Sequence, residues 1–80
     1  MKAVLYTLAA RRSFRKLPAD VQAQIEAKLL RYAETGAGDV TALQGVEGYR
    51  LRSGDYRAIF VMTDEAIEVR AVGHRRDIYR

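Results

Sequence analysis

The fold is decided by residues 49–57, which read Tyr49-Arg50-Leu51-Arg52-Ser53-Gly54-Asp55-Tyr56-Arg57. Arginines alternate with apolar residues on both sides of a short Ser-Gly-Asp segment. Successive side chains of a β-strand point to opposite faces, so this alternation predicts a hairpin with one apolar face and one arginine-lined face. A loop this short requires the two strands to be antiparallel neighbours.

The number of residues in the hairpin loop determines the face on which Arg57 lies. An even-length loop centred on Ser53-Gly54 or Gly54-Asp55 places Arg57 on the face of Arg50 and Arg52, whereas an odd-length loop turns it to the core. We expect the even-length loop. With a second turn at Asp64-Glu65, the next strand is predicted to add four residues to the arginine face: Glu68, Arg70, Val72 and His74. The opposite face is predicted to pack under helices and to carry Tyr49, Leu51, Tyr56, Ala58, Phe60, Met62, Ile67, Val69 and Ala71.

The N-terminal half predicts one strand and two helices. Residues 2–8 alternate as a buried strand does, and residues 9–16 form a short basic helix. Pro18 opens a second helix whose apolar residues recur at helical spacing to about Thr35, and Gly36 ends it. Residues 37–47 form a long loop before the three C-terminal strands. Residues 1–80 are therefore predicted to be a single α+β domain with the order β-α-α-β-β-β, in which a small antiparallel sheet of about four strands packs on an N-terminal helical hairpin.

The composition narrows the classes of ligand. The 80 residues have a net charge of +4 with eleven Arg against three Lys, which favours polyanions; a GC-rich genome is the alternative cause of the arginine excess. The sequence has no cysteine and one histidine, which argues against disulfides and against a protein-built zinc site. We expect no metal and no cofactor. No apolar run is long enough to span a bilayer and no leader pattern is recognised, so a cytoplasmic protein without membrane contact is expected.

The predicted arginine face suits a ligand with phosphates and flat bases. Like charges directly across two strands repel one another, so a cluster of arginines there is unusual for a solvated sheet. Further arginines return in the tail, which reads Gly73-His74-Arg75-Arg76-Asp77-Ile78-Tyr79-Arg80. An acidic partner chain and a solvated face crossed by weak ion pairs are the alternatives.

These motifs resemble the RelE/ParE toxin superfamily of bacterial type II toxin–antitoxin modules, and the RelE branch most. The resemblance rests on the Gly54-Asp55-Tyr56-Arg57 strand start and the Gly73–Tyr79 tail, in this order and spacing, and it covers essentially the whole chain. It implies a microbial-ribonuclease-like fold and a ribosome-dependent endoribonuclease that cuts mRNA. It also implies a cognate antitoxin protein that binds the toxin in a hetero-oligomer and blocks the site.

The resemblance implies roles for individual residues in metal-free RNA cleavage. Arg57 matches the arginine that contacts the scissile phosphate of the RNA. Arg75 matches the arginine that stabilises the leaving group, and Tyr79 matches the tyrosine near the 2′-hydroxyl. Arg50 and Arg52 stand where better-known members often have lysines; like Arg76, they are predicted to bind substrate. Because arginine does not release its proton, the proton acceptor is expected to be Tyr79, His74, or the RNA and ribosome themselves.

Two other functions remain open at this point. A ParE-like toxin inhibits DNA gyrase by protein contact without cleaving RNA, and the same fold carries both activities. A degenerate member would act as a binding partner or transcriptional co-repressor. A basic cluster on the first helix could contact ribosomal RNA or be a solvated helix face: Arg11, Arg12, Arg15 and Lys16.

Overall fold

A computed structural model describes residues 1–78 of the chain; Tyr79, one of the predicted site residues, lies outside the described residues. The elements follow in the order β1 (Ala3–Tyr6), α1 (Leu8–Arg15), α2 (Ala19–Thr35), β2 (Val40–Ala42), β3 (Tyr49–Ser53), β4 (Tyr56–Met62), β5 (Ala66–His74) and α3 (Arg75–Ile78).

The boundaries of the two long helices follow from local chemistry. Thr7 caps α1, since its hydroxyl accepts a hydrogen bond from the Ala10 amide at 3.1 Å. Pro18 precedes α2, where its missing amide proton leaves no unpaired donor. Gly36 ends α2 in the left-handed conformation, with φ of 73° and its amide donating to the Tyr32 carbonyl. The predicted helical hairpin is therefore present.

The five strands form one sheet in the order β1-β5-β4-β3-β2. β1 runs parallel to β5, whereas the β2–β3, β3–β4 and β4–β5 pairs are antiparallel. One sheet face packs against α1 and α2 around the largest fully buried side chains, which are Phe60, Ile25, Leu29, Leu51, Ile67 and Val69. The other face is not covered by α1 or α2 and carries Arg50, Arg52 and Arg57.

The predicted α+β fold with a helical hairpin packed on a sheet is confirmed, with α3 as an additional short helix and with two differences in the sheet. A short strand, β2, lies inside the segment predicted to be a loop and pairs with β3. The sheet is mixed rather than wholly antiparallel, because the chain crosses through α1 and α2 between β1 and the rest of the sheet. No helix within residues 1–78 is long and apolar enough to cross a membrane.

The hairpin between β3 and β4 has the even-length loop. Ser53 pairs with Tyr56, which leaves the two loop residues Gly54 and Asp55. Gly54 has φ of 59°, and positive φ at the first loop position only is the pattern of a type II′ turn. Arg52 lies directly opposite Arg57 in the register. The predicted common face for Arg50, Arg52 and Arg57 is therefore confirmed.

The face predicted for the second half of β5 is wrong because of a β-bulge. Phe60 pairs with Val69 but Ile59 pairs with Ala71, so Arg70 is an extra residue on β5. Beyond the bulge the faces exchange. Val72 pairs with Ala58 and is 5% exposed, and His74 pairs with Tyr56, so both belong to the helix side. Ala71 and Gly73 take the places on the arginine face that Val72 and His74 were predicted to hold.

Candidate functional site

Three arginines of the hairpin line one polar cavity, which we call the arginine pocket. Its lining residues are Asp39, Thr41, Arg50, Arg52 and Arg57, and its volume is about 330 Å³. Thr41 pairs with Arg50 across β2 and β3, and Arg57 pairs with Arg52 across β3 and β4. Two neighbouring strands, β3 and β4, therefore bring the three guanidinium groups together on one accessible face, and β2 adds Thr41 beside them.

The side chain of Arg57 is held against the turn. Its Nη1 donates to the carbonyl of Gly54 at 2.7 Å and to the carbonyl of Tyr56 at 2.9 Å. A guanidinium has five N–H donors, so these two bonds fix the group while leaving other donors for a ligand. Arg52 faces it across the strands, and like charges in that position destabilise a sheet. An anion between the two side chains would relieve this repulsion.

Arg75 is attached to the same two-residue turn. Its amide donates to the carbonyl of Asp55 at 2.8 Å, and its Nε lies 3.7 Å from Asp55 Oδ1. The Asp55 and Arg75 side chains are well exposed, so the ion pair contributes little stability. Its effect is positional: Gly54 holds Arg57 and Asp55 holds Arg75, which brings two predicted site residues to one hairpin loop.

His74 is placed differently from its prediction. Its ring contacts the Tyr56 ring edge-on with centroids 5.4 Å apart, and its Nδ1 accepts a hydrogen bond from the Arg76 amide at 3.2 Å. When Nδ1 accepts, the proton of the neutral ring lies on Nε2. Nδ1 is therefore directed toward the Arg76 backbone, and His74 does not line the arginine pocket. In this arrangement His74 orients the start of α3, and the Arg76 side chain is exposed beyond it.

Asp39 and Thr41 are two lining residues that the sequence did not predict. Both come from the segment interpreted as a loop, and they reach the arginine pocket because β2 adds a strand at the edge of the sheet. The Asp39 carbonyl accepts the Arg52 amide at 3.0 Å, which fixes this segment to β3. The available signal was the brief alternation of Val40, Thr41 and Ala42 between polar and glycine-rich neighbours.

Tyr6 has a displaced pKa on the helix side of the sheet. Burial raises the pKa of its hydroxyl, the Glu26 carboxylate raises it further, and Arg11 acts in the opposite direction. The Tyr6 hydroxyl is buried and makes no hydrogen bond within residues 1–78. Arg11 lies over its ring at 5.2 Å and Phe14 packs against it at 5.2 Å between centroids. Tyr6 is a core residue of β1 and is not part of the arginine pocket.

The described part of the chain contains no group of three or more His, Cys, Asp or Glu residues that could hold a metal ion. The first-helix cations are all exposed and do not line the arginine pocket: Arg11, Arg12, Arg15 and Lys16.

Comparison with known proteins gives a family match and several similar structures. The family described as ParE toxin of type II toxin-antitoxin system, parDE, matches residues 4–79. No curated protein matches the sequence significantly. The toxin in the intact RelBE toxin–antitoxin complex of E. coli is 27% identical, with a TM-score of 0.77 over 92% of this chain and 96% of that chain.

Two further solved structures share the fold at lower identity. The RelBE2 toxin–antitoxin complex of Mycobacterium tuberculosis matches with a TM-score of 0.81 and 23% identity, over 92% of this chain and 98% of that chain. The RelB-RelE antitoxin–toxin complex of Methanococcus jannaschii matches with a TM-score of 0.78 and 21% identity, over 94% of each chain.

Proposed function

This chain belongs to the ParE toxin family of type II toxin–antitoxin systems, and we propose that it acts as a cytoplasmic toxin that cleaves mRNA on the ribosome. The predicted resemblance to the RelE/ParE superfamily is confirmed by the family match and by the RelE folds. The RNA-cleaving activity is our proposal for how the toxin acts.

The arginine pocket is the observation that carries this proposal. A phosphodiester offers oxygens that match the planar fork of arginine, and three such forks line one open cavity. Cleavage of RNA without a metal begins when the 2′-oxygen attacks the phosphorus. The bond from phosphorus to the 5′-oxygen then breaks and this oxygen takes up a proton from solvent, which gives a 2′,3′-cyclic phosphate and a 5′-hydroxyl. Guanidinium groups fixed in advance stabilise the extra negative charge that develops on the phosphate oxygens.

The position of each residue determines its role in RNA binding and cleavage. Arg57, held by the turn carbonyls, contacts the scissile phosphate, while Arg50 and Arg52 bind the adjoining backbone. Arg75, held by Asp55, stabilises the leaving 5′-oxygen, and Arg76 contributes charge from the exposed side of α3. Arginine cannot accept the 2′-hydroxyl proton, and His74 uses its Nδ1 within the chain. Tyr79, the RNA or the ribosome therefore accepts that proton.

A cognate antitoxin is the proposed partner. The similar structures from E. coli, M. tuberculosis and M. jannaschii are toxin–antitoxin complexes. An antitoxin segment with Asp or Glu side chains would complement the arginine pocket, and its apolar residues would cover Ile59 and Val61 on the same face. Binding would be salt-sensitive, would compete with RNA and would form a hetero-oligomer.

A second candidate is a ParE-like toxin that inhibits DNA gyrase through protein contact. The observation in its favour is the family match, whose description names ParE. In that case the arginine pocket would bind an acidic protein surface, and transcripts would stay intact.

One experiment separates these activities. The chain is expressed without an antitoxin, mRNA 5′ ends are mapped, and plasmid supercoiling is measured in the same cultures. We expect growth arrest with new codon-phased 5′ ends, and we expect Arg57→Ala to lower cleavage by at least about 100-fold. Arg70→Ala is the control, because it removes an equal charge from an exposed position that does not line the pocket. DNA damage with intact transcripts would replace the RNase proposal by the gyrase one, and full toxicity of Arg57→Ala would remove Arg57 from the site.

A further inference from the structure

A second cavity adjoins the arginine pocket at the edge of the sheet. This edge pocket has a volume of about 190 Å³ and lies between the C-terminal half of α2, the segment after α2, and β3. Its cationic side chains are Lys28, Arg31 and Arg52, and Ala37 and Gly38 form part of its apolar wall. Lys28 and Arg31 are both exposed and lie one helical turn apart, so they face the same side of α2.

The two cavities share residues. Asp39 and Arg52 line both of them, and the hydrogen bond from the Arg52 amide to the Asp39 carbonyl, at 3.0 Å, holds the shared wall together. The two cavities therefore adjoin each other at Asp39 and Arg52.

The charge along this path is strongly positive. The combined lining has five cations, which are Lys28, Arg31, Arg50, Arg52 and Arg57, and one carboxylate, that of Asp39. The two cavities differ in the rest of their lining: the arginine pocket is mainly polar, whereas the edge pocket is mainly apolar between its cationic side chains. A charged backbone with flat apolar groups attached is the chemistry that fits both.

We infer that the edge pocket binds a nucleotide of single-stranded RNA next to the one in the arginine pocket. Lys28 and Arg31 contact its phosphate, and the apolar wall receives its sugar and base. The inference rests on the proposed RNA-cleaving function and extends it to a substrate path of more than one nucleotide. Non-specific single-strand sites combine basic grooves with apolar surfaces in this way.

The test measures binding of a 2′-O-methylated oligouridylate of about eight nucleotides, which cannot be cleaved because its 2′-hydroxyls are blocked. Dissociation constants are determined by fluorescence anisotropy over a range of salt concentrations for the wild type and for Lys28→Ala/Arg31→Ala. We expect the double variant to bind about ten-fold more weakly, with the salt slope reduced by about 0.7 for each phosphate that the variant no longer neutralises.

Two controls make the result specific. Arg12→Ala/Lys16→Ala removes the same charge from exposed positions of the first helical segment, and we expect its affinity to stay close to that of the wild type. Asp39→Asn removes the one carboxylate on the path, and we expect tighter binding, which a purely structural disturbance would not produce. Thermal unfolding of each variant verifies that it is folded.

The outcomes separate this inference from the proposed function. If Arg57→Ala weakens binding but Lys28→Ala/Arg31→Ala behaves like the Arg12/Lys16 control, the edge pocket is not on the RNA path, while the arginine pocket remains the site. If Arg57→Ala and Lys28→Ala/Arg31→Ala both bind as the wild type does, both proposals fail. If Lys28→Ala/Arg31→Ala binds an acidic peptide more weakly than the wild type but binds RNA equally well, the edge pocket belongs to a protein partner and the inference is overturned.

Discussion

Arg52 and Arg57 oppose each other across two strands, and this pair defines the site at the level of single residues. The contact is unfavourable for the free protein, because like charges in directly opposed positions repel each other. Arg57 reduces the repulsion by donating to the carbonyls of Gly54 and Tyr56. The same arrangement keeps its guanidinium in one orientation, which is what recognition of a phosphate requires.

Neutralising one of the two arginines is expected to stabilise the fold and weaken ligand binding. Arg52→Gln should raise the free energy of unfolding by about 0.5 kcal/mol, because it removes the cross-strand repulsion. Arg12→Gln is the control: it removes the same charge from an exposed position of α1, away from the opposed pair. Urea denaturation at low salt measures the difference. Equal effects of the two substitutions would mean that net charge, and not the opposed pair, sets the stability.

Tyr6 gives a prediction for alkaline pH. Its pKa is raised in the folded protein, so the folded state keeps the hydroxyl proton at pH values where the unfolded chain, with an ordinary pKa of about 10, loses it. The contribution of Tyr6 protonation to the free energy of unfolding is therefore fully present below pH 10 and is lost as the pH rises through the pKa of the folded state. Tyr6→Phe should lose stability less steeply above pH 10 than the wild type. It should also gain about 1 kcal/mol at neutral pH, because a buried hydroxyl without a protein partner is removed.

Denaturant unfolding between pH 8 and about 11 checks this prediction. Tyr32→Phe is a useful control, since Tyr32 also packs in the core through its ring contact with Phe60. If the free energy of unfolding falls equally steeply above pH 10 for Tyr6→Phe and the wild type, Tyr6 does not cause this part of the pH dependence.

At the level of elements, the start of β3 depends on a glycine. Gly48 has φ of 135°, and a Cβ atom there would lie 3.1 Å from the Phe60 carbonyl oxygen and 3.2 Å from Leu43 Cδ1. The carbonyl belongs to the sheet and cannot move away. Both the backbone conformation and the lack of space therefore require glycine where β3 enters the sheet.

Gly48→Ala is expected to destabilise the protein by about 2–4 kcal/mol, from backbone strain together with overpacking. Gly45→Ala is the matched control, because Gly45 has φ of 77° but nothing within 4 Å of the added Cβ. We expect it to cost about 1 kcal/mol, from strain alone. Chemical denaturation of both variants measures the two values. A Gly48→Ala variant no less stable than Gly45→Ala would show that the close contact is relieved by a small shift.

The hairpin and the helices could be predicted from the sequence because their signals are local. The alternation of residues 49–57, the Gly54-Asp55 turn and the Gly36 helix end each act within a few residues of the chain. The exchange of faces in β5 could not be predicted in this way. Side chains of a strand alternate between the two faces, so one extra residue at Arg70 places every later side chain of β5 on the opposite face. Nothing in the local composition marks the bulge.

The site residues, like the fold, could be predicted only where they depend on local sequence signals. Arg50, Arg52 and Arg57 depend on one turn, and the structure brings them together as predicted. His74 lies beyond the bulge and therefore on the face opposite to the predicted one. Asp39 and Thr41 enter the pocket through β2, a strand of three residues that is held by pairing with β3 and has little propensity signal of its own.

At the scale of the whole molecule, the core and the candidate binding cations occupy different places. The buried residues gather between the helices and one sheet face, whereas the arginine pocket lies on the other face, and the edge pocket lies between α2 and β3 with the exposed Lys28 and Arg31 in its lining. Substitutions that alter binding can therefore be made without entering the core, which is why the charge variants above are expected to remain folded.

A polyanion should stabilise the whole chain, because it binds the folded arginine face and not the unfolded state. We expect the midpoint of thermal unfolding to rise with added polyphosphate at low salt, and the rise to shrink as sodium chloride is added. Arg57→Ala should show a smaller rise than Arg12→Ala. An equal rise for these two variants would place the bound anion elsewhere on the surface.

The opposed arginines have a consequence for the motion of the free protein. Because their repulsion is confined to the β3–β4 hairpin, the backbone amides of that hairpin should exchange with deuterium faster than those of the β4–β5 pair. Occupation by a phosphate chain or by an acidic inhibitor would slow this exchange. Recognition and local ordering would then be one event, and the target and the inhibitor would leave the same protection pattern on the sheet.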